Sequence, residues 1–359
     1  MSTSPAANVR HANVIGLGLI GGSLALALRE AGFVVFGDDS DPRRVGMARE
    51  RGIIDQQGVS SDAYVSFAAT PVMTLATTVQ RLLDETKGVV SDVGSVKAHV
   101  AAEVTDPRFV GGHPMAGSEL DGLDGADASM FQGAVWVLTP TDASSDAAFA
   151  TLAELIGDFG SEIVALDPET HDDFVAVISH VPHLTAAALM GIAQSRSEEH
   201  LALLRLAAGG FRDMTRIASG RPEIWLDICQ QNREAIVRTL DKFIDELSVM
   251  RDVVKNNDRE MLLQRLERAR RGRMNLPARS GPVEDLAEMR IPIPDQPGSA
   301  ANVFTLSGEL GVNIHDFEIV HSPEGGRGVM VLVVAREQVE VFRGGLMARG
   351  FKPAVSRLD

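Results

Sequence analysis

The sequence predicts an α/β chain in three parts: a doubly wound, mostly parallel sheet, an all-helical middle, and a C-terminal β-α-β-β-α-β module. Three observations carry this. Residues 1–168 alternate short apolar runs with amphipathic stretches, the pattern of βαβ units. Residues 169–280 keep helical spacing with almost no strand signal. Residues 281–359 follow a linker rich in breakers, Asn275 to Pro282, and return to alternating strands and helices. A length of 359 residues also exceeds what one core usually organises.

In the first part, Ala12–Gly16, Val34–Gly37, Val89–Val93, Phe109–Gly112 and Val135–Leu138 read as strands bounded by Gly, Asp or Pro. Gly21–Ala31, Pro42–Arg51 and Val72–Leu83 read as the helices between them, and a further strand-like run precedes Ala69. The middle part reads as helices over Phe174–Ser195, His200–Ala208, Glu223–Val253 and Arg259–Arg273. After the linker come strand Ala287–Ile293, turn Asp295–Gly298, helix Ser299–Gly308 and strand Val312–Val320. Strand Gly328–Ala335, helix Glu337–Arg349 and strand Lys352–Leu358 complete a ferredoxin-like order.

Apolar residues make up 45% and charged residues 23%, which excludes a disordered chain or a fibre. The net charge of −15 argues against nucleic acid as a partner. That charge is uneven. Residues 1–168 hold 10 Lys and Arg against 22 Asp and Glu, residues 169–280 hold 17 against 16, and residues 281–359 hold 7 against 11. The basic stretch Arg265–Arg273 reads as a solvated helix face. A lone cysteine, Cys229, fits a reducing compartment. No uninterrupted apolar run approaches about 18 residues. Met1–Arg10 lacks the apolar core of a secretion signal, so a cytoplasmic protein without membrane contact is expected.

The motif Gly16-Leu-Gly18-Leu19-Ile20-Gly21 follows a strand and opens a helix. Gly16 permits the turn, Gly18 admits a pyrophosphate, and Gly21 allows close helix–strand packing, as in a Rossmann dinucleotide site. Asp38 and Asp39 end the next strand. A carboxylate there binds the adenosine ribose and favours NAD over NADP, although Arg43 and Arg44 close behind leave an NADP reading open. Ala69-Thr70-Pro71 forms a cofactor-facing loop. His113, just after a strand, lies where ligands bind in such sheets and has the chemistry of a base for a hydroxyl proton. The middle part adds Ser179-His180-Val-Pro-His183 and Gly209-Gly-Phe-Arg212-Asp213-Met-Thr-Arg216, where arginine suits a carboxylate. His180 and His183 lack further ligands for a metal, so none is expected.

The order G-x-G-L-I-G-G-S, G-S-V-K, H-P-M-A-G-S-E, S-H-V-P-H and G-G-F-R-D-M-T-R-I-A is similar to the prephenate dehydrogenase family of tyrosine biosynthesis. The tail, with Asp295-Gln-Pro-Gly298 and Gly311-Val-Asn313-Ile-His315, resembles an ACT regulatory domain. The resemblance runs from about Asn13 to Leu358 and implies NAD-dependent oxidative decarboxylation of prephenate to 4-hydroxyphenylpyruvate. Arogenate dehydrogenase, giving tyrosine directly, is the alternative. It implies His113 as the catalytic histidine and Ser95 as the residue orienting it. Arg216, His183, Glu119 and Asp213 would serve the substrate, and Asp39 becomes the ribose acid. Asp172 or Asp173 is a candidate for reading the substrate side chain, and Lys97 for balancing ligand charge. The apolar helical part predicts a homodimer, and Asn313, His315, Asp295 and Gly298 an amino-acid effector site. A reading of another class is an inactive nucleotide and amino-acid sensor.

Overall fold

A computed structural model describes residues 10–117, 120, 122–199, 203–274, 276, 286–294, 296, 298–321 and 327–357. The chain forms two compact units, residues 1–248 and 249–359.

The first unit is built on a parallel sheet of β1 (His11–Ile15), β2 (Val34–Asp38), β3 (Gln56–Gln57), β4 (Val65–Ala68) and β5 (Val89–Asp92). Their order is β3-β2-β1-β4-β5, so the chain reverses direction across the sheet beside β1. A ligand crevice forms at such a reversal, outside the carboxyl ends of the strands. Helices α1 (Leu19–Glu30), α2 (Pro42–Glu50), α3 (Leu75–Glu85), α4 (Ala98–Glu103) and α5 (Asp146–Asp158) belong to this sheet region. Asp41 caps α2 through Arg43 N ahead of Pro42, and Ser145 caps α5. Val14, Leu24, Leu28, Val35, Phe67, Trp136, Leu138 and Leu152 are fully buried in one apolar cluster.

A second sheet holds β6 (Gly111–Pro114), β7 (Val135–Thr139) and β8 (Glu162–Ala165), with β6 antiparallel to β7 and β7 parallel to β8. Phe109 makes only a single parallel bridge to Val90, and the ladder to β7 starts at Gly111. The strand expected at Phe109–Gly112 therefore starts later, and His113 sits inside β6 rather than after it.

The helical layer starts with α6 (Pro168–Val175), passes through a π-turn at Ala176–His180, and continues as α7 (Val181–Glu199). The stretch Pro168–Arg196 is long and apolar enough to cross a bilayer by length and composition. It nevertheless carries buried His171, Asp172, His180 and His183, each of which touches polar or aromatic groups of the same unit. Of the helix expected at His200–Ala208, residues 200–202 lie outside the described ones, and the rest holds only a 3-10 turn at Leu204–Leu206. The tandem Gly209-Gly210 then opens α8 (Gly209–Thr215). The helix expected over Glu223–Val253 divides into α9 (Pro222–Gln231) and α10 (Arg233–Lys255), the latter running across the division between units. The break is Asn232, whose backbone leaves the helix at φ −106 and ψ 30.

In the second unit, α11 (Arg259–Met274) precedes a sheet of β9 (Leu286–Pro294), β10 (Ile314–His321), β11 (Arg327–Ala335) and β12 (Ala354–Arg357). The order β10-β11-β9-β12 is antiparallel throughout, the ferredoxin-like arrangement that the sequence predicts. With α12 (Ser299–Glu309) and α13 (Val339–Ala348) it buries Met289, Ile291, Met330, Leu332, Phe342 and Leu346.

One buried ion pair straps the end of β5 to β6. Lys97 Nζ meets the Asp92 carboxylate and donates to Gly112 O at 2.8 Å, and both side chains are almost wholly buried. Asp92 also accepts Gly94 N at 2.9 Å and Gly112 N at 3.3 Å. Removing one member strands a charge away from water. Lys97→Met is expected to cost about 3–5 kcal/mol, read as a lowered urea midpoint; a midpoint equal to wild type would show the strap to be dispensable.

Candidate active site

The glycine turn is shaped by contacts no side chain could tolerate. Gly16 adopts φ +98, and a Cβ there would collide with Ala69 O. A Cβ on Gly21 would collide with Gly16 O, whereas the Cβ position of Gly18 is open, with nothing within 4 Å. Among the described residues no side chain caps α1, so the first amides of the helix, at Leu19, Ile20 and Gly21, keep their N–H groups for a ligand. An uncapped helix start beneath an open glycine fits the diphosphate of NAD. Thr70 and Pro71 follow the Ala69 carbonyl that packs on Gly16.

Of the two candidate ribose acids, Asp39 is the one whose carboxylate is joined to this turn. Its carboxylate accepts Leu17 N at 2.7 Å and Asp41 N at 2.8 Å, and Arg44 Nη1 lies 3.5 Å away. The Asp38 carboxylate accepts the neighbouring Asp39 N at 3.1 Å, and it is the Asp38 backbone carbonyl that accepts Gly16 N, at 2.8 Å. Asp41, Arg43, Arg44 and Met47 face Gly122–Asp124 across a cavity of about 310 Å³ beside this loop. The segment leaving β6 returns over α1: Asp127 N donates to Ser23 Oγ at 3.0 Å, and Gly125 packs against Leu19. The strand of His113 and the dinucleotide helix are thereby joined.

His113 is held from the helical layer. Its Nδ1 lies 2.9 Å from His171 Nε2, and His171 Nδ1 lies 2.8 Å from Asp172 Oδ1. Asp172 accepts Lys97 N at 2.8 Å and Ala98 N at 2.9 Å. Burial, followed by electrostatic interaction with His171, Lys97 and His180, holds the His113 imidazole well below its usual 6.5. His113 is therefore neutral at pH 7. His180 is pushed down to about 4, mainly by burial. Its Nδ1 lies 3.1 Å from Asn232 Nδ2, which also donates to Asp172 O at 2.8 Å.

His183, at the start of α7, stacks on Trp225 with centroids 3.6 Å apart and planes 14° from parallel. Burial lowers its pKa as well. Arg216 opens the 3-10 turn Arg216–Ser219, and the next residue, Gly220, lies against His183 and Trp225. Asp213 is exposed one turn earlier on α8. Ser95 lies half-buried in the loop between β5 and α4, where Asp92 and Asp172 hold the flanking amides. Glu119 lies outside the described residues.

Three of the candidates from the sequence, Lys97, Asp172 and Asp173, have partners within the protein. Lys97 is almost wholly buried and bound to Asp92 and Gly112 O. Asp172 accepts the backbone amides of Lys97 and Ala98, while Asp173 on the surface pairs with Arg238 at 2.6 Å. The Nδ1 partner of His113 is His171, which the motifs did not single out. The adjacent pair His171-Asp172, eight residues before Ser179-His180, was the available signal, because π-turns such as Ala176–His180 cluster at functional sites.

The family described as prephenate dehydrogenase, nucleotide-binding domain, matches residues 24–165, and the one described as prephenate dehydrogenase, dimerization domain, matches residues 167–268. Prephenate dehydrogenase of Bacillus subtilis is 35% identical over 335 residues, covering 88% of this chain and 89% of the relative. The crystal structure of prephenate dehydrogenase from A. aeolicus, in complex with hydroxyphenyl propionate and NAD+, aligns with a TM-score of 0.70 at 29% identity, covering 75% of this chain and 99% of that one. Synechocystis arogenate dehydrogenase aligns at 0.64 with 31% identity, covering 73% and 98%.

Asp39→Ala removes the acceptor of Leu17 N and the acid expected at the ribose. Losing a charge-assisted hydrogen bond of about 1.5–3 kcal/mol is expected to raise the NAD+ Kd at least about tenfold, read by titration calorimetry. An unchanged Kd would remove Asp39 from the cofactor site.

Proposed function

This chain belongs to the prephenate dehydrogenase family, and from that premise we propose that it converts prephenate to 4-hydroxyphenylpyruvate and CO2. The observation that carries the reading is a neutral His113, fixed in β6 by His171, on a strand whose outgoing segment packs on the dinucleotide helix.

NAD+ supplies the acceptor for the hydride leaving ring carbon C4. The chain's own work is to hold the ring and manage one proton. His113 takes the proton of the C4 hydroxyl as that carbon becomes a carbonyl. The bond from the ring to its carboxylate then breaks, its electrons aromatise the ring, and the resulting phenolate recovers the proton. Arg216 suits a substrate carboxylate, and His183, braced by Trp225, suits a polar contact. Ser95 is proposed to lie beside His113, Glu119 and Asp213 at the mouth of the site, and Thr70 and Pro71 along the cofactor.

Arogenate is the second reading, supported by the Synechocystis likeness. Its ammonium side chain calls for an acid, and the buried Asp172 and paired Asp173 are both engaged within the protein. That favours the keto side chain of prephenate. The exposed apolar residues Phe174, Val177, Ile178, Ile192, Ile244 and Leu247 support a homodimer through the helical layer. The lone Cys229 and the acidic surface suit a cytoplasmic enzyme.

The C-terminal unit is proposed as an ACT-like effector domain. Gly298 stands at φ +89 just before α12, Asn313 N donates to Gln338 Oε1 at 3.2 Å, and His315 Nδ1 is buried with no partner among the described residues. Asp295 lies outside the described residues.

Prephenate and arogenate should be offered separately while NAD+ reduction is followed. Faster turnover of prephenate is expected. Arogenate alone being oxidised would reverse the assignment, and neither reacting would leave a sensor. His113→Asn is expected to lower kcat at least about 100-fold with NAD+ binding unchanged. Because His113 must be neutral to accept a proton, the acid limb of kcat/KM is expected below pH 6.5; a midpoint at or above 6.5 would contradict the role. Tyrosine is expected to slow the reaction, and a rate indifferent to tyrosine at every concentration would remove the effector reading.

A further inference from the structure

We infer that His171 and Asp172 act as a positioning pair that sets which nitrogen of His113 carries the proton. The inference rests on the reading of His113 as the base, and it begins from donors and acceptors alone. Both Asp172 oxygens accept: Oδ1 from Lys97 N, Oδ2 from Ala98 N. A carboxylate has no proton to give, so the third contact, with His171 Nδ1 at 2.8 Å, requires that Nδ1 carry the hydrogen. An imidazole whose one proton sits on Nδ1 presents a bare Nε2. The 2.9 Å contact to His113 Nδ1 closes only if His113 donates through Nδ1. His113 is left with a bare Nε2, the atom that must accept the substrate proton.

A histidine free of such constraints distributes its proton between both nitrogens, and one protonated on Nε2 is no base there. The pair therefore keeps His113 in the reactive form. It also serves the step itself. When His113 takes the proton from the C4 hydroxyl, its Nδ1–H keeps donating to His171, whose ring is oriented by Asp172. The proton stays on His113 until the phenolate reclaims it, and none passes to Asp172.

The other ionisable groups close to this pair are spoken for. Lys97 is bound to Asp92 and Gly112 O, and His180 accepts from Asn232 through Nδ1. Asp172 is a poor place for a test substitution because it also holds the backbone before α4. His171 contacts only the two partners through its ring nitrogens.

Two variants and one spectroscopic readout test this in the full-length chain. Nitrogen-15 NMR of labelled protein at pH 7.5 is expected to show His113 protonated on Nδ1 in wild type and shifted toward Nε2–H in His171→Leu. His171→Leu is expected to lower kcat at least about 100-fold, with KM for prephenate and for NAD+ within about threefold of wild type and a native melting curve. In His171→Gln the side-chain amide offers an oxygen to His113 Nδ1 and is expected to recover at least about tenfold of the lost kcat. An Nε2–H tautomer in wild-type protein would overturn the inference, as would full turnover in His171→Leu. So would equal losses in both variants. The NMR result stands apart from substrate identity: a chain inert toward both prephenate and arogenate sinks the functional reading and leaves the tautomer assignment to be judged on its own.

Discussion

One carboxylate, Asp172, carries constraints that the rest of the site depends on. It comes from the first helix of the helical layer and accepts two backbone amides at the start of α4, in the sheet region. Its Oδ1 also holds His171, and through it His113. Asn232 reaches the Asp172 carbonyl from the break between α9 and α10 and keeps a hand on His180. A group of this kind stabilises by removing alternatives: an isolated buried charge is costly, and here every lone pair in use meets a donor. Two parts of the chain that look independent in sequence thus share one polar core.

The two ends of the reaction call for opposite electrostatics, and the fold supplies both without a large positive field. A diphosphate can be met by free amides at the α1 N-terminus, so an acidic nucleotide domain is no obstacle. The proton-transfer side is built from histidines kept neutral by burial, with Lys97 neutralised by Asp92. The excess of acid in residues 1–168 is mostly a matter of surface.

Much of this was legible beforehand, because the signals are local. The glycine turn, β2 with its terminal acids, and the four strands and two helices of the C-terminal module each follow from periodicity and breakers within about ten residues. What escaped depends on distance in sequence. The partnership of His113 with His171 spans 58 positions, and that of Lys97 N with Asp172 spans 75. No spacing rule reaches so far. Asn232 escaped for a related reason: its neighbours are strong helix formers, and only the buried acceptors it meets in the fold explain why the helix breaks there. Asp172 and Asp173 show the same limit, since adjacent identical residues were indistinguishable until one was buried and the other exposed.

The stacking of Trp225 on His183 has a consequence for observing the molecule at work. The chain has two tryptophans. Trp136 is wholly buried among Phe67, Phe131 and Phe159, an apolar surrounding insulated from ligands. Trp225 shares its ring face with a histidine of the candidate site. The intrinsic emission of this protein is therefore divided between a fixed reference and a reporter. Light from Trp136 tracks the integrity of the fold, and changes in the light from Trp225 follow whatever arrives beside His183.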